Sequence, residues 1–312
     1  MSRTPTESRI LTAVSADGSR IHAEVYGPDG APAVVLAHGW TCSTEFWSAQ
    51  IQDLAGDFRV VVYDQRGHGR TAAAAVSTDV LADDLEAVLA AALAPGEKAV
   101  LVGHSMGGMT LMAAAGRAAF AEHAAAVLLC STGSSRLVEE SLVLPMRRGP
   151  LRTRLTGMVL GARAPLGPVT PLSRRLLKYG TMGPDATPGQ VKECARIVHA
   201  CARAARVAWS QVLAGLDLDD GVRQLNVPAV VLAGTADRLT PMVHARRIAA
   251  NLPDCRELVE LDGTGHMTPV EAPATVTAKI RELAGAHGVT DSSGDAESGA
   301  HGDIKSVKEE AA

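Results

Sequence analysis

An α/β fold is predicted for this 312-residue sequence: a mostly parallel, doubly wound sheet with a helical cap inserted after the sixth strand. Three observations predict it. Short apolar runs rich in β-branched residues alternate with helical sequence, as in strands buried on both faces of a parallel sheet. One such run ends at a Gly-x-Ser-x-Gly pentapeptide, followed at once by Ala- and Leu-rich helical sequence. From Ser134 to Val212 the strand-like runs stop, and helical pieces punctuated by Pro and Gly replace them. The length suits one large domain carrying an insertion rather than two folds. The expected organisation is a core over residues 1–133, a helical cap over 134–212, the second part of the core over 213–286, and a disordered tail over 287–312.

Composition narrows the function classes. The formal net charge of −4 gives no global field that would draw nucleic acid or lipid to the chain. Met1 to Ile10 is polar and lacks the apolar core of a secretory signal. No apolar run is long and charge-free enough to span a bilayer; Met109 to Cys130 comes nearest, interrupted by Arg117, Glu122 and His123. Five scattered cysteines suit reduced thiols and a cytoplasmic location. Cys194 and Cys201 lie two helical turns apart, too far to bridge. Neither cysteines nor histidines show metal-ligand spacing, so no metal and no cofactor is expected.

The elements follow in order. Residues 9–26 form two extended runs around Asp17-Gly18-Ser19, which predicts a hairpin. Ala33 to Ala37 is a buried strand ending at His38-Gly39-Trp40. Arg59 to Tyr63 is another, leading into Asp64-Gln65-Arg66-Gly67-His68-Gly69-Arg70. His68 is a tempting base, but charges in such a loop more often fix the loop itself, so Asp64, Arg66 and His68 are read as structural. Leu81, Leu85, Val88 and Leu89 form one stripe of an amphipathic helix whose acids, Asp83, Asp84 and Glu86, suit its positive start.

Val100-Leu101-Val102-Gly103-His104-Ser105-Met106-Gly107-Gly108 then reads as strand, sharp turn and helix. A serine on such a turn needs neighbours almost free of side chain two before and two after, which Gly103 and Gly107 provide. The hydroxyl of Ser105 is a weak nucleophile alone and requires a base and an orienting acid from elsewhere. His104, adjacent on a sharp turn, points away and is read as packing or pocket-shaping. Cys42, Cys130 and Cys255 are expected to be small buried residues.

Ala126 to Cys130 completes the sixth strand. The segment from Ser134 to Arg206 carries thirteen Lys or Arg against four Asp or Glu. Its cations, such as Arg147, Arg148, Arg152, Arg154, Arg174 and Arg175, are expected on a solvated outer face, with Leu and Met turned towards a substrate. Asn226 to Gly234 resumes the core and delivers Asp237 on the following turn. Met242 to Leu252 is helical. Arg256 to Leu261 is extended and delivers His266, and Ala272 to Ala286 closes the domain with Val276, Ile280 and Leu283 on one face. Asp237 and His266 both fall just after strands, where a parallel sheet places ligand groups.

Five motifs stand in a familiar order: His38-Gly39, Asp64-x-Arg66-Gly67-x-Gly69, Gly103-x-Ser105-x-Gly107-Gly108, Gly234-x-x-Asp237 and Gly265-His266. Over roughly residues 10–285 the sequence resembles the α/β-hydrolase superfamily, in its helical-cap, esterase- and lipase-like branch. The resemblance implies Ser105 as nucleophile, Asp237 as acid and His266 as base, in the order that the fold uses. It also implies an oxyanion hole from the backbone N–H groups of Trp40 and Met106. These are main-chain donors, so Trp40 could be changed without deleting its N–H. Relatives with Asp as nucleophile, the haloalkane dehalogenases and epoxide hydrolases, differ here, where Ser105 stands. Some relatives carry the acid after the sixth strand, but no Asp or Glu lies between Cys130 and Val138.

The expected function is hydrolysis of a carboxylic ester, lipid and lactone esters included, through an acyl-enzyme, without a cofactor, on an apolar small-molecule acyl substrate. Thioesterase, acyltransferase, carbon–carbon bond hydrolase and perhydrolase chemistry would use the same three residues. A non-catalytic ligand-binding protein of the same fold is the alternative of another class. No nucleic-acid partner is expected, and the basic, Leu-rich cap offers a weak peripheral contact with membranes.

Overall fold

The computed structural model describes residues 7–287. Eight strands form one sheet: β1 (Ser8–Val14), β2 (Arg20–Tyr26), β3 (Ala33–Ala37), β4 (Arg59–Tyr63), β5 (Ala99–His104), β6 (Ala124–Cys130), β7 (Ala229–Gly234) and β8 (Cys255–Leu261). Their spatial order is β1-β2-β4-β3-β5-β6-β7-β8. The hairpin β1–β2 and the β2–β4 pair are antiparallel, and the remaining neighbours are parallel. Gly18 makes the hairpin turn at φ +82°, a conformation that costs a residue without a Cβ little.

The helices of the core are α1 (Ser48–Leu54), α2 (Thr78–Ala92), α3 (Met106–Ala114) and α4 (Ala118–His123). Between β6 and β7 run α5 (Leu137–Glu140), α6 (Pro150–Leu160), α7 (Pro171–Thr181), α8 (Pro188–Ala200), α9 (Arg203–Ala214) and α10 (Asp219–Gln224). The chain closes with α11 (Met242–Asn251), α12 (Thr268–Glu271) and α13 (Pro273–Ala286). The tail expected from residue 287 lies, beyond His287, outside the described residues.

Alternation along the strands divides the core into two layers. Val35, Val61, Leu101, Leu129 and Val231 face α2, α3 and α11, while Val34, Val60, Val102, Leu128 and Leu232 face α1 and α13. Strands β3, β5 and β7 are buried along their whole length, which is why they read as continuous apolar runs rather than alternating ones. Strand β8 lies at the sheet edge, and Cys255 at its start is half-buried, not fully buried as expected.

The reading of the basic segment needs correction. Arg152 is buried, donating to the Glu139 carbonyl at 2.6 Å, and Arg206 is buried as well. Many of the leucines and methionines point outward instead: Leu151, Met158, Leu172 and Leu176 are each more than 60% exposed. A single helical layer has two faces, and the pocket below takes only one of them.

Candidate active site

Ser105 sits between β5 and α3 in a conformation that L-residues rarely adopt, φ +52° and ψ −116°. The structure around it requires glycine. A Cβ on Gly103 would come within 2.5 Å of the Gly107 backbone, and one on Gly107 would collide with the Ala37 carbonyl. Ser105 donates its N–H to the Cys130 carbonyl at 2.9 Å, and its own carbonyl accepts from Thr132 Oγ1 at 2.7 Å. Gly108 leaves the room that the Thr132 side chain needs to close this bond. The turn is thus held from β6 on both sides.

The loop after β3 lies directly against it. A Cβ on Gly39 would stand 3.0 Å from Ser105 Cβ. Gly39 to Cys42 is a tight turn, with Cys42 N–H donating to the Gly39 carbonyl at 3.1 Å and Thr41 at φ +65°. Trp40 occupies its second position, and its indole N–H donates to the Arg206 carbonyl at 3.1 Å, tying the loop to α9. Met106 opens α3, where a backbone N–H has no partner within the helix.

His266 and Asp237, delivered after β8 and β7, come together. Nδ1 of His266 donates to Asp237 Oδ2 at 2.8 Å, which leaves Nε2 as the free base nitrogen. Asp237 is buried and well held: Oδ1 accepts the N–H groups of Leu239 at 2.8 Å and Thr240 at 2.9 Å, and the Thr240 hydroxyl lies 2.8 Å from Oδ2. Ser105, His266, His104 and Trp40 line one cavity of about 240 Å3. Its remaining wall is largely apolar, with Met109, Leu137, Leu160, Leu177 and Leu213 among the lining residues.

The loop residues read as structural are placed as struts. Asp64 accepts from the N–H groups of Thr44 at 2.8 Å and Arg70 at 2.9 Å. Arg66, fully buried, reaches Asp84 Oδ1 at 2.6 Å and also pairs with Asp17. Asp84 is therefore an internal counter-ion rather than a surface acid at a helix start. His68 Nε2 accepts the Thr41 N–H at 3.1 Å, and burial pushes its pKa down to about 3. His38 is locked likewise, accepting the Gln65 N–H at 3.0 Å and donating to the Gly39 carbonyl at 2.7 Å, its pKa pushed down by burial to about 4. Neither imidazole has a nitrogen left for substrate.

Two residues, and the hydrogen bond of a third, escaped the sequence reading. Thr240 bridges the acid loop to the Ser131 carbonyl, 3.0 Å away. Glu271 accepts the amides on either side of His266, from Gly265 at 3.1 Å and Met267 at 3.0 Å, and that of Gly183 at 2.7 Å. Its pKa is raised by burial, against the lowering effect of those three N–H groups. His104 bonds to the loop of His266. The spacing of Glu271 from His266 was visible, but nothing local in the sequence marks a carboxylate that will fold back on the preceding loop.

Comparison with known proteins finds likeness over most of the chain. Residues 34–279 match the model of the alpha/beta hydrolase family. A bifunctional esterase/perhydrolase of Acinetobacter calcoaceticus is 28% identical over 279 residues, covering 83% of this chain and 94% of that one. A pimeloyl-[acyl-carrier protein] methyl ester esterase of Aromatoleum aromaticum is 27% identical over 258 residues, covering 81% and 98%. Among solved structures, a thermophilic esterase from Thermogutta terrifontis superposes with a TM-score of 0.69 at 24% identity, over 90% of this chain and 99% of that one. That last likeness is one of fold.

Proposed function

The chain belongs to the alpha/beta hydrolase family, and from that premise we propose that it is a serine hydrolase of carboxylic esters, with Ser105 as nucleophile, His266 as base and Asp237 as orienting acid. The observation that carries the reading is the strained Ser105 and the Asp237-bound His266 on the wall of one apolar cavity. The similarity to two esterases supports it.

In this reading His266 Nε2 takes the Ser105 proton as Oγ attacks the acyl carbon. Asp237 keeps the proton on Nδ1 and stabilises the imidazolium that forms. The N–H groups of Trp40 and Met106 face the oxyanion, each such donor contributing ~3 kcal/mol of barrier lowering. The imidazolium then protonates the departing alcohol, and a water deprotonated by His266 cleaves the acyl-enzyme. The cavity lies below the roughly 300–1,000 Å3 of drug-sized sites. With its apolar lining it favours a small, uncharged acyl or aryl ester.

A p-nitrophenyl ester series from acetate to palmitate, run beside Ser105→Ala and with fluorophosphonate labelling, tests the proposal. Turnover that peaks at short chains and vanishes in the variant supports it. Labelling of Ser105 without ester turnover would move the reading to thioesters or carbon–carbon bonds. Neither turnover nor labelling in folded protein would favour a binding protein. The esterase/perhydrolase relative motivates a second reading: hydrogen peroxide in place of water would release a peracid from the same acyl-enzyme. Peracid formation on adding peroxide would reveal it.

A further inference from the structure

We propose that the outer face of α6 and α7 docks on an anionic phospholipid surface, so that the cavity opens at the membrane. From Ser141 to Pro184 the chain carries eight Lys or Arg and no Asp or Glu. Ten of the twelve large apolar side chains most exposed among the described residues lie between Leu142 and Tyr179. Helix α7 has no buried residue at all. Leu172, Leu176 and Tyr179 recur at i, i+4 and i+7 along it, 66, 62 and 41% exposed, forming one apolar stripe whose last ring is met on one side by the Arg238 guanidinium, 4.6 Å from its centroid. Helix α6 adds Leu151 and Met158. A monomer rarely leaves so many large apolar side chains to water without a use for them.

The charge around this stripe decides the occupant. Among the described residues no carboxylate pairs with Arg147, Arg154, Arg163, Arg174 or Arg175. Arg175 flanks the α7 stripe, and Arg154 lies between Leu151 and Met158 on α6. Leucines flanked by unpaired arginines are what an anionic interface selects: the apolar side chains enter the acyl boundary while the guanidinium groups meet phosphate. A second copy of this chain would bring the same cations together and is disfavoured at low salt.

The cavity belongs to the same face. Val159, next to Met158 on α6, and Leu166, in the link from α6 to α7, line it and are also 49 and 42% exposed, so they stand at its mouth. Docking would let an ester dissolved in the bilayer pass to Ser105 without crossing water. This use of the surface rests on the esterase reading; the docking itself does not.

Vesicle flotation of the full chain separates the two. Ser105→Ala protein should float with phosphatidylcholine vesicles containing phosphatidylglycerol at low salt, and not with phosphatidylcholine alone. Arg154→Glu/Arg175→Glu should lower the partition coefficient at least about a hundredfold, since reversing two charges shifts the surface by four units. Leu172→Ser/Leu176→Ser should lower it about tenfold or more. Both double variants should turn over p-nitrophenyl acetate as the wild type does. Absence of flotation with anionic vesicles at low salt, or equal flotation by the variants, overturns the proposal. Dimerisation in sedimentation velocity that Leu172→Ser/Leu176→Ser abolishes would assign the face to a second copy instead. Flotation in a protein without ester turnover would leave the docking standing and remove the esterase reading.

Discussion

His104 donates from Nε2 to the backbone carbonyl of His266, 2.9 Å away across 162 residues of chain. A carbonyl only accepts, so Nε2 carries the proton and the ring is neutral. Burial, with His266 close by, holds its pKa well below the ordinary histidine value. The residue next to Ser105 thus ties the loop of His266 to the turn of Ser105. Sequence reading assigned it to packing or pocket-shaping, and both are part of its role: its ring centroid lies 4.6 Å from that of Phe46, and it lines the cavity beside Ser105. The hydrogen bond adds a positional one.

The bond predicts a graded response. His104→Ala should lower kcat/KM roughly tenfold to a hundredfold through kcat, because a base misplaced by about 1 Å costs that much. His104→Gln, whose amide N–H can replace Nε2–H, should recover most of the loss. Steady-state kinetics on a p-nitrophenyl ester, with unfolding midpoints measured alongside, checks it. Equal kcat for the two variants would reduce His104 to a packing residue.

Glu271 performs a similar service from the other side. Its carboxylate collects three backbone N–H groups, two of them flanking His266. Glu271→Gln retains one acceptor oxygen and replaces the other with a donor that faces N–H groups. The expected result is a fall in both stability and kcat. Losing hydrogen bonds to a buried charged acceptor costs about 1.5–3 kcal/mol each at most. A melting temperature lowered by several degrees, with KM little changed, is the outcome expected in thermal scans and kinetics. An unchanged kcat would mean that the loop is held without it.

Thr240 carries the third prediction. Its hydroxyl lies within hydrogen-bond reach of Asp237 Oδ2, the Ser131 carbonyl and His266 Nδ1. Thr240→Val keeps the shape and removes the hydroxyl, so kcat should fall about tenfold, the value of one bond to a charged group. Thr240→Ser should behave as wild type. A wild-type kcat in Thr240→Val would show that the two amides on Oδ1 suffice to hold the acid.

These three residues show where sequence reading stops. Gly103, Ser105 and Gly107 were legible because strain at one turn dictates which residues can stand there, and those residues are contiguous. Strands β3, β5 and β7 were legible because burial on both faces leaves an unbroken apolar run. Asp237 and His266 were legible as a candidate pair because both follow strands, and they meet in the fold. Thr240 and His104 act through contacts to Ser131 and His266 that exist only once the strand ends are side by side, and Glu271 folds back on its own preceding loop while also holding Gly183. The face of α7 was misread for a different reason. An amphipathic stripe says that one side is apolar, but not whether that side meets the cavity or the outside.

The neutral histidines behind the site make stability depend on pH. His38 Nε2 accepts the Gln65 N–H and His68 Nε2 accepts the Thr41 N–H, so protonating either ring sets a donor against a donor. Their pKa values, pushed down by burial to about 4 and about 3, lie below the ~6.5 of an unfolded histidine. The unfolded chain therefore binds more protons between these values, and folding free energy is lost as pH falls below about 6.5. Each ring contributes about 1.4 kcal/mol of loss between pH 7.5 and 5.5, or about 3 kcal/mol together. His104 and His244, also lowered mainly by burial, add in the same direction. The raised carboxyls of Asp64, Asp84 and Glu271 work oppositely, the folded state taking up their protons first as the pH falls through their folded pKa values. Urea midpoints should accordingly drop between pH 7.5 and 5.5. His68→Gln, which keeps an acceptor for Thr41 without a titrating ring, should show a drop smaller by about 1.4 kcal/mol. Identical pH slopes for the two proteins would mean that His68 is already free to take up a proton in the folded state, and the strut it forms under the Trp40 turn would have to be weaker than its burial implies.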